Sequence, residues 1–393
     1  MVSRRAALGI LGTGVAVLGL PRIAFAMAET DKRLVVVILR GAMDGLSAAP
    51  AYGDPDYQVA RAGLGQPSPG QSGGVLRLDA MFGLHPNLGG MKSLYDSGEL
   101  ILVHAVATPY RDRSHFDGQN LLENGSEAPY GLETGWLNRA LGQIPGTGKP
   151  LAIALNSHMP LILRGPAPVT SWAPSLLPSP DGDTIQRLAS LYGETDPLLA
   201  KNFASAQGAN SVASGNGVAT GGYQAFIGLM AAAARFLSAP DGERIAMVEI
   251  GGWDTHVNQA GAFSPLSTNL LTLDKGVMAL KTGLGSLWRN TAVLMVSEFG
   301  RTVAMNGTQG TDHGTAGSVF IAGGAVNGGR VLADWPGLKS ANLYQARDLM
   351  PTTDFRDIAT GLLRDHLGLT SQQLVAVFPS ATKIKPRDGL VRA

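Results

Sequence analysis

Five short stretches of the chain bring carboxylate, imidazole, hydroxyl and guanidinium groups close enough together to do chemistry. They are Arg40-Gly41-Ala42-Met43-Asp44-Gly45, Arg111-Asp112-Arg113-Ser114-His115-Phe116, Gly251-Gly252-Trp253-Asp254-Thr255-His256, Ser297-Glu298-Phe299-Gly300-Arg301 and Thr311-Asp312-His313-Gly314. The chain has no cysteine. Disulfides, thiolate metal sites and cysteine nucleophiles are thereby excluded, and any metal must be held by His, Asp and Glu. Asp254 and His256, one residue apart, can ligate an ion, although an isolated Asp-x-His on a loop more often makes a hydrogen-bonded turn. Asp312-His313 carries the same two readings. Glu298 follows four apolar residues, which places a carboxylate at a sheet edge; its structural alternative is an ion pair with Arg301. Arg40, Arg111, Arg113 and Arg301 suit the tetrahedral oxyanion of a phosphate or sulfate ester, or else fix loops. Ser114 opens an expected helix, where it serves as an N-cap or sets its hydroxyl where the helix dipole favours an anion. His85, His104, His158 and His366 read as structural.

These clusters follow a regular arrangement of apolar runs. The sequence predicts strands at 34–39, 100–103, 151–155, 245–250, 293–296 and 319–322, each apolar without alternation, as in a parallel sheet covered on both faces. Leu270, Leu273, Val277, Leu280, Leu284 and Leu287 share one helical face. Further helices are expected at 86–97, 114–124, 183–192, 223–237 and 354–367. Such alternation predicts a three-layer α/β/α sandwich with a mostly parallel central sheet. The carboxyl ends of parallel strands converge on one crevice, and four of the five clusters sit at such ends. The fifth, at 311–314, precedes the last core strand, and its distance from the others is not readable from the sequence. Residues 159–180, with six prolines, and the Gly/Ser/Ala/Asn-rich 207–222 read as loops or a small cap inserted near 159–222 of a single domain at 29–393.

Only 16% of residues are charged while 52 are glycine, which implies a well-buried core joined by tight loops. Without Arg4, Arg5 and Arg22 the formal net charge falls by three from +1 to −2, and no basic stripe calls for a nucleic acid partner. Those arginines lie in a leader. Arg4-Arg5 stand before an apolar run from Ala6 to Leu20, and Ala24-Phe25-Ala26 supplies small residues for a signal peptidase. The run holds four glycines and falls short of the about 20 apolar residues that span a bilayer. We therefore expect a twin-arginine signal peptide at 1–28, the twin-arginine translocase as a partner during export, a periplasmic or secreted location, and no stable membrane anchor.

The five motifs together resemble a bacterial family of domains of unknown function, number 1501, over essentially all of 32–370. That family is similar in turn to the alkaline phosphatase and sulfatase superfamily. The resemblance implies an alkaline phosphatase-like fold and a metal-dependent hydrolase of phosphate or sulfate esters, acting on a small-molecule or glycan ester. It implies Ser114 as nucleophile, one ion at Asp254, His256 and His313, and a second at Asp44, Ser114 and Glu298. The ions would be divalent (Zn, Mg, Mn or Ca), one or two per chain. Phe299 stands where the superfamily pattern expects a histidine, so the second set lacks a ligand unless His115 or Asp312 replaces it. The alternative is a non-catalytic periplasmic binding or assembly protein that retains the fold. The formylglycine sulfatases are disfavoured, because Ser114 is followed by His-Phe-Asp and not by their Pro and Arg.

Changing Arg4-Arg5 to Lys-Lys is expected to strand the protein in the cytoplasm, because the transporter reads the arginine pair and not its charge. Fractionation that finds the Lys-Lys form in the periplasm would assign the general secretory route instead.

Overall fold

A computed structural model describes residues 31–145, 149–175, 180–213, 222–261, 263–379 and 383–392; the expected leader lies outside them. Among the described residues nine strands form the main sheet, in the order β10-β4-β9-β8-β1-β7-β5-β6, with β11 also on β4. In chain order these are β1 (Arg33–Leu39), β4 (Leu100–Ala107), β5 (Ala152–Ala154), β6 (Val169–Ser171), β7 (Ile245–Ile250), β8 (Thr291–Val296), β9 (Gly317–Ala322), β10 (Arg330–Leu332) and β11 (Thr353–Asp354). A separate antiparallel pair joins β2 (Leu76–Arg77) to β3 (Gly83–Leu84). All six expected strands are present, and the sheet is parallel except where β9 runs antiparallel between β4 and β8.

The central strands are apolar on both faces because both faces are covered. Val35, Val37 and Leu39 of β1 pack with Leu270, Leu273, Val277 and Leu280 of helix Pro265–Leu284. Leu34, Val36 and Ile38 point the other way, towards Ile358 and Leu362 of helix Phe355–Asp365. Period-two side-chain alternation thus serves two cores at once. Helix Pro265–Leu284 starts cleanly: Ser264 accepts from the Ser267 amide, and Pro265 occupies the first turn. The expected helices at 86–97, 114–124, 183–192, 223–237 and 354–367 appear as Gly89–Asp96, His115–Asn124, Gly182–Thr195, Gly222–Ser238 and Phe355–Asp365. The stretch 207–222 departs from expectation, since helix Pro197–Ala213 runs through its first half. Its glycine and polar content weakens a helix without forbidding one. Among the described residues no helix is long and apolar enough to cross a membrane.

The antiparallel strand β9 resolves where 311–314 falls. Because β9 runs against its neighbours, its beginning lies at the edge where β1, β7 and β8 end. The connection from β8 to β9 continues the pairing beyond the sheet: the Gly300 amide donates to the Thr315 carbonyl (2.9 Å) and the Gly314 amide to the Gly300 carbonyl (2.9 Å). Arg301 is bridged to His313 in the same way. A Cβ on Gly300 would stand 1.9 Å from the Ala316 carbonyl oxygen, so only glycine permits this approach. Gly300→Ala is therefore expected to cost at least about 2 kcal/mol through forced backbone separation, read as a lowered urea midpoint at unchanged m-value. An unchanged midpoint would mean that the two arms of the connection are not in contact.

Candidate metal centre

Strand β1 hands over to Arg40-Gly41, and the Gly41 amide donates to Glu298 Oε1 (2.9 Å). Gly41 has φ +116, and a Cβ there would meet the Asp254 amide nitrogen at 2.7 Å, so the turns after β1 and β7 lie against each other. Glu298 follows β8 with its side chain fully buried. It also accepts from Gln119 Nε2 (3.0 Å), and its Oε1 lies 2.7 Å from Nδ1 of His115, the first residue of helix His115–Asn124. Burial works to raise the Glu298 pKa, but the bonds from His115, Gln119 and Gly41 outweigh it and hold the group below the ordinary carboxylate value. The expected ion pair with Arg301 is not made; His115 takes that place.

Three histidines approach the Asp254 carboxylate. His256 Nε2 lies 3.1 Å from His313 Nε2, and these two nitrogens are 2.9 and 3.2 Å from Asp254 Oδ1. His115 Nε2 lies 3.4 Å from Asp254 Oδ2; it is buried and has no hydrogen-bond partner. Ligand atoms of His115, Asp254 and His313 all fall within 4.8 Å of one another. Behind each ring stands an acceptor for Nδ1: Glu298 Oε1 for His115, the Arg113 carbonyl for His313 (2.9 Å) and Asp312 Oδ1 for His256 (3.3 Å). A proton on each Nδ1 leaves every Nε2 lone pair facing inward, the tautomer that metal ligation needs. The separations among His256, His313 and Asp254, 2.9–3.2 Å, lie close to the edge of a tetrahedron, about 3.3 Å for metal–nitrogen bonds of about 2.05 Å. A donor set of imidazoles and one carboxylate suits a borderline transition ion better than Mg or Ca, which favour all-oxygen sets. The bond to Glu298 raises the His115 pKa against burial, whereas burial lowers that of His313.

Phe299, which replaces the expected histidine, is buried and stacks on His115 with ring centroids 5.0 Å apart; its ring is 5.4 Å from His313. It gives the two imidazoles an apolar backing. Ser114 precedes His115 as the N-cap residue but makes no side-chain cap bond, so its hydroxyl is not committed to the helix start. The four arginines all have protein partners. Arg40 binds Glu249 (2.7 Å) and Glu123 (2.9 Å), Arg111 binds the Thr108 and Tyr110 carbonyls, and Arg113 binds Asp348 (2.8 Å). Arg301 donates to Asp254 Oδ1 (2.5 Å) and to Thr311.

Asp44 is not brought to this cluster. One oxygen caps the short helix Gly45–Ala48, while Oδ2 takes the guanidinium of Arg61 (2.6 Å), the Gln259 amide and the Ser47 hydroxyl (2.9 Å). Gln259 Oε1 accepts from Thr311 Oγ1 (2.6 Å), which accepts from Arg301 Nε (3.0 Å), so a chain of bonds links Asp44 to Asp254. Sequence reasoning weighs His115 only as a replacement ligand and misses Arg61 and Gln259. His115 has a signal, since it stands beside Ser114 at a helix start; Arg61 lies among ordinary surface-like residues and has none.

The family described as "Protein of unknown function (DUF1501)" matches residues 99–378, which include every residue of the cluster but not Asp44. No curated protein matches the sequence. Among solved structures, Ps i-CgsB in complex with k-i-k-neocarrahexaose is 10% identical with a TM-score of 0.44, over 90% of this chain and 77% of that one. The C-terminal periplasmic domain of EcEptC from Escherichia coli, in complex with Zn, is 10% identical with a TM-score of 0.37, over 74% and 72%. The phosphonate monoester hydrolase of Agrobacterium radiobacter is 12% identical with a TM-score of 0.31, over 77% and 70%.

The buried Arg61–Asp44 pair generates a stability prediction. Arg61→Met strands a carboxylate without its counter-charge and is expected to cost about 3–5 kcal/mol at pH 7, part of which Asp44→Asn recovers in the double variant. Burial works to raise the Asp44 pKa, but Arg61, Gln259 and Ser47 outweigh it and hold it low. Its contribution is thus complete above about pH 4, the unfolded value, and is lost as pH falls through the lower folded value. Urea midpoints of wild type and Asp44→Asn should therefore converge in acid; a gap that widens there would contradict the pairing.

Proposed function

Taking as premise that this chain belongs to the DUF1501 family of proteins of unknown function, we propose that it is an exported metal-dependent hydrolase of phosphate or sulfate esters. One observation carries the reading: His115, Asp254 and His313 offer ligand atoms within 4.8 Å of one another, His256 Nε2 adjoins Asp254 and His313, and each Nδ1 is held from behind. His115, Asp254, His256 and His313 would hold one divalent ion of the zinc class, with Glu298, Asp312 and the Arg113 carbonyl fixing their rings. The second set implied by the resemblance is replaced: Asp44 has Arg61 for its cation, and Glu298 has His115. Bound in the cluster, such an ion would lower the pKa of a nearby hydroxyl and offset charge on the ester's non-bridging oxygens. Ser114 supplies the attacking oxygen. It stands between Arg113 and His115, whose carbonyl and ring both touch the cluster, at a helix start that favours an anion. Arg301 holds Asp254 in place from a fully buried position. Export by the twin-arginine translocase would deliver the folded chain to the periplasm or beyond.

One observation favours the non-catalytic alternative. Arg40, Arg111, Arg113 and Arg301 are all engaged by protein acceptors, which leaves fewer donors for an anionic substrate.

Elemental analysis of purified protein should find one equivalent of a zinc-class ion. His115→Ala, His256→Ala and Asp254→Asn should each lower metal content and ester turnover together. Ser114→Ala should retain the metal and lose turnover of aryl phosphates and sulfates, at little cost in stability. The non-catalytic protein gives another pattern: no ester is turned over, and the ligand variants lower only the thermal midpoint, through lost linkage. Full metal content in His115→Ala would remove that residue from the set.

A further inference from the structure

Beside the cluster runs a groove of about 470 Å³, within the range of small-molecule sites. Val59, Val303, Met305 and Leu343 give it apolar walls, and Lys339 and Arg347 stand along its rim. Its end is shared with the centre: Asn306 Nδ2 donates to Asp312 Oδ1 (3.0 Å), the oxygen that faces His256 Nδ1. Asp312 thus belongs both to the groove lining and to the support of His256, whose side chain is 40% exposed. Val59 is 82% exposed and Met305 37%, so the groove leaves apolar surface in contact with water next to a polar centre. Burial of that surface is favourable in proportion to its area. Polar side chains, among them Asp56, Asn306 and Asp312, line the groove beside these apolar ones, so its affinity for an alkyl chain rests on the apolar wall of Val59, Val303, Met305 and Leu343.

We propose that this groove receives the apolar alcohol portion of the ester whose anionic group meets the cluster, so that the substrates are phosphate or sulfate monoesters of alkyl or aryl alcohols. This rests on the hydrolase reading above. The groove supplies uniform binding along the alcohol while the histidine cluster meets the charged end.

The test uses the full, metal-loaded protein. Calorimetric titration with octyl phosphate and with inorganic phosphate is expected to show at least roughly tenfold tighter binding of the octyl ester, with octyl sulfate run in parallel to separate the two anions. Ala304→Trp fills the groove from an exposed lining position, and Val59→Asp makes its wall polar. Both should erase the octyl advantage and leave inorganic phosphate affinity unchanged. Equal affinity for octyl phosphate in wild type and both variants overturns the proposal. The two readings fail differently. Groove-dependent binding with no ester turned over sinks the hydrolase and keeps the apolar-anion site. Turnover of methyl and octyl phosphate at equal kcat/KM, indifferent to Ala304→Trp, keeps the hydrolase and overturns the groove.

Discussion

The candidate centre is organised around the buried carboxylate of Glu298. It ties together the ends of three elements that are distant in sequence: the Gly41 amide after β1, the first residue of helix His115–Asn124, and β8, which carries Glu298 itself. A fully buried carboxylate is unfavourable unless its lone pairs are filled. The chain fills them with one backbone amide, one side-chain amide and one imidazole. Satisfying Glu298 thus fixes where His115 points, and the other Nε2 atoms meet it across Asp254.

Asp254 is held by a second, longer arrangement. Arg301 binds it and leans on Thr311, which leans on Gln259, which reaches Asp44 and its partner Arg61. A cation with no exposure at its far end makes this chain of bonds stiff. The effect is to orient one carboxylate oxygen towards two imidazoles on a loop that has no regular structure of its own.

Much of this was legible in the sequence, for a definite reason. Continuous apolar runs such as Leu34–Leu39 and Val293–Val296 mark strands buried on both faces, and the residues just past the ends of such strands share one edge of the sheet. That rule alone brought Asp254, His256 and Glu298 together. It could not place His313, because the direction of β9 depends on pairing with β4 and β8, which no local pattern encodes. Nor could it tell ligand from support. Glu298 and Asp312 are of the right type for ligands, yet they stand behind histidine rings, a distinction made by orientation and not by residue identity. Asp44 misled for a similar reason: a buried guanidinium satisfies a carboxylate as a metal does, and Arg61 lies where nothing in its neighbourhood marks it.

The lacing of β1 to β7 has a consequence for how the molecule matures. Arg40 and Glu249 bond across 209 positions, and the turns just beyond them bring Gly41 against Asp254. Glu298, Arg301, Asp312 and His313 belong to one local connection and can approach early, whereas Asp254 and His115 arrive only when distant strands have paired. The full donor set therefore exists in no partial fold. Occupancy of the cluster by an ion would certify that the topology is finished.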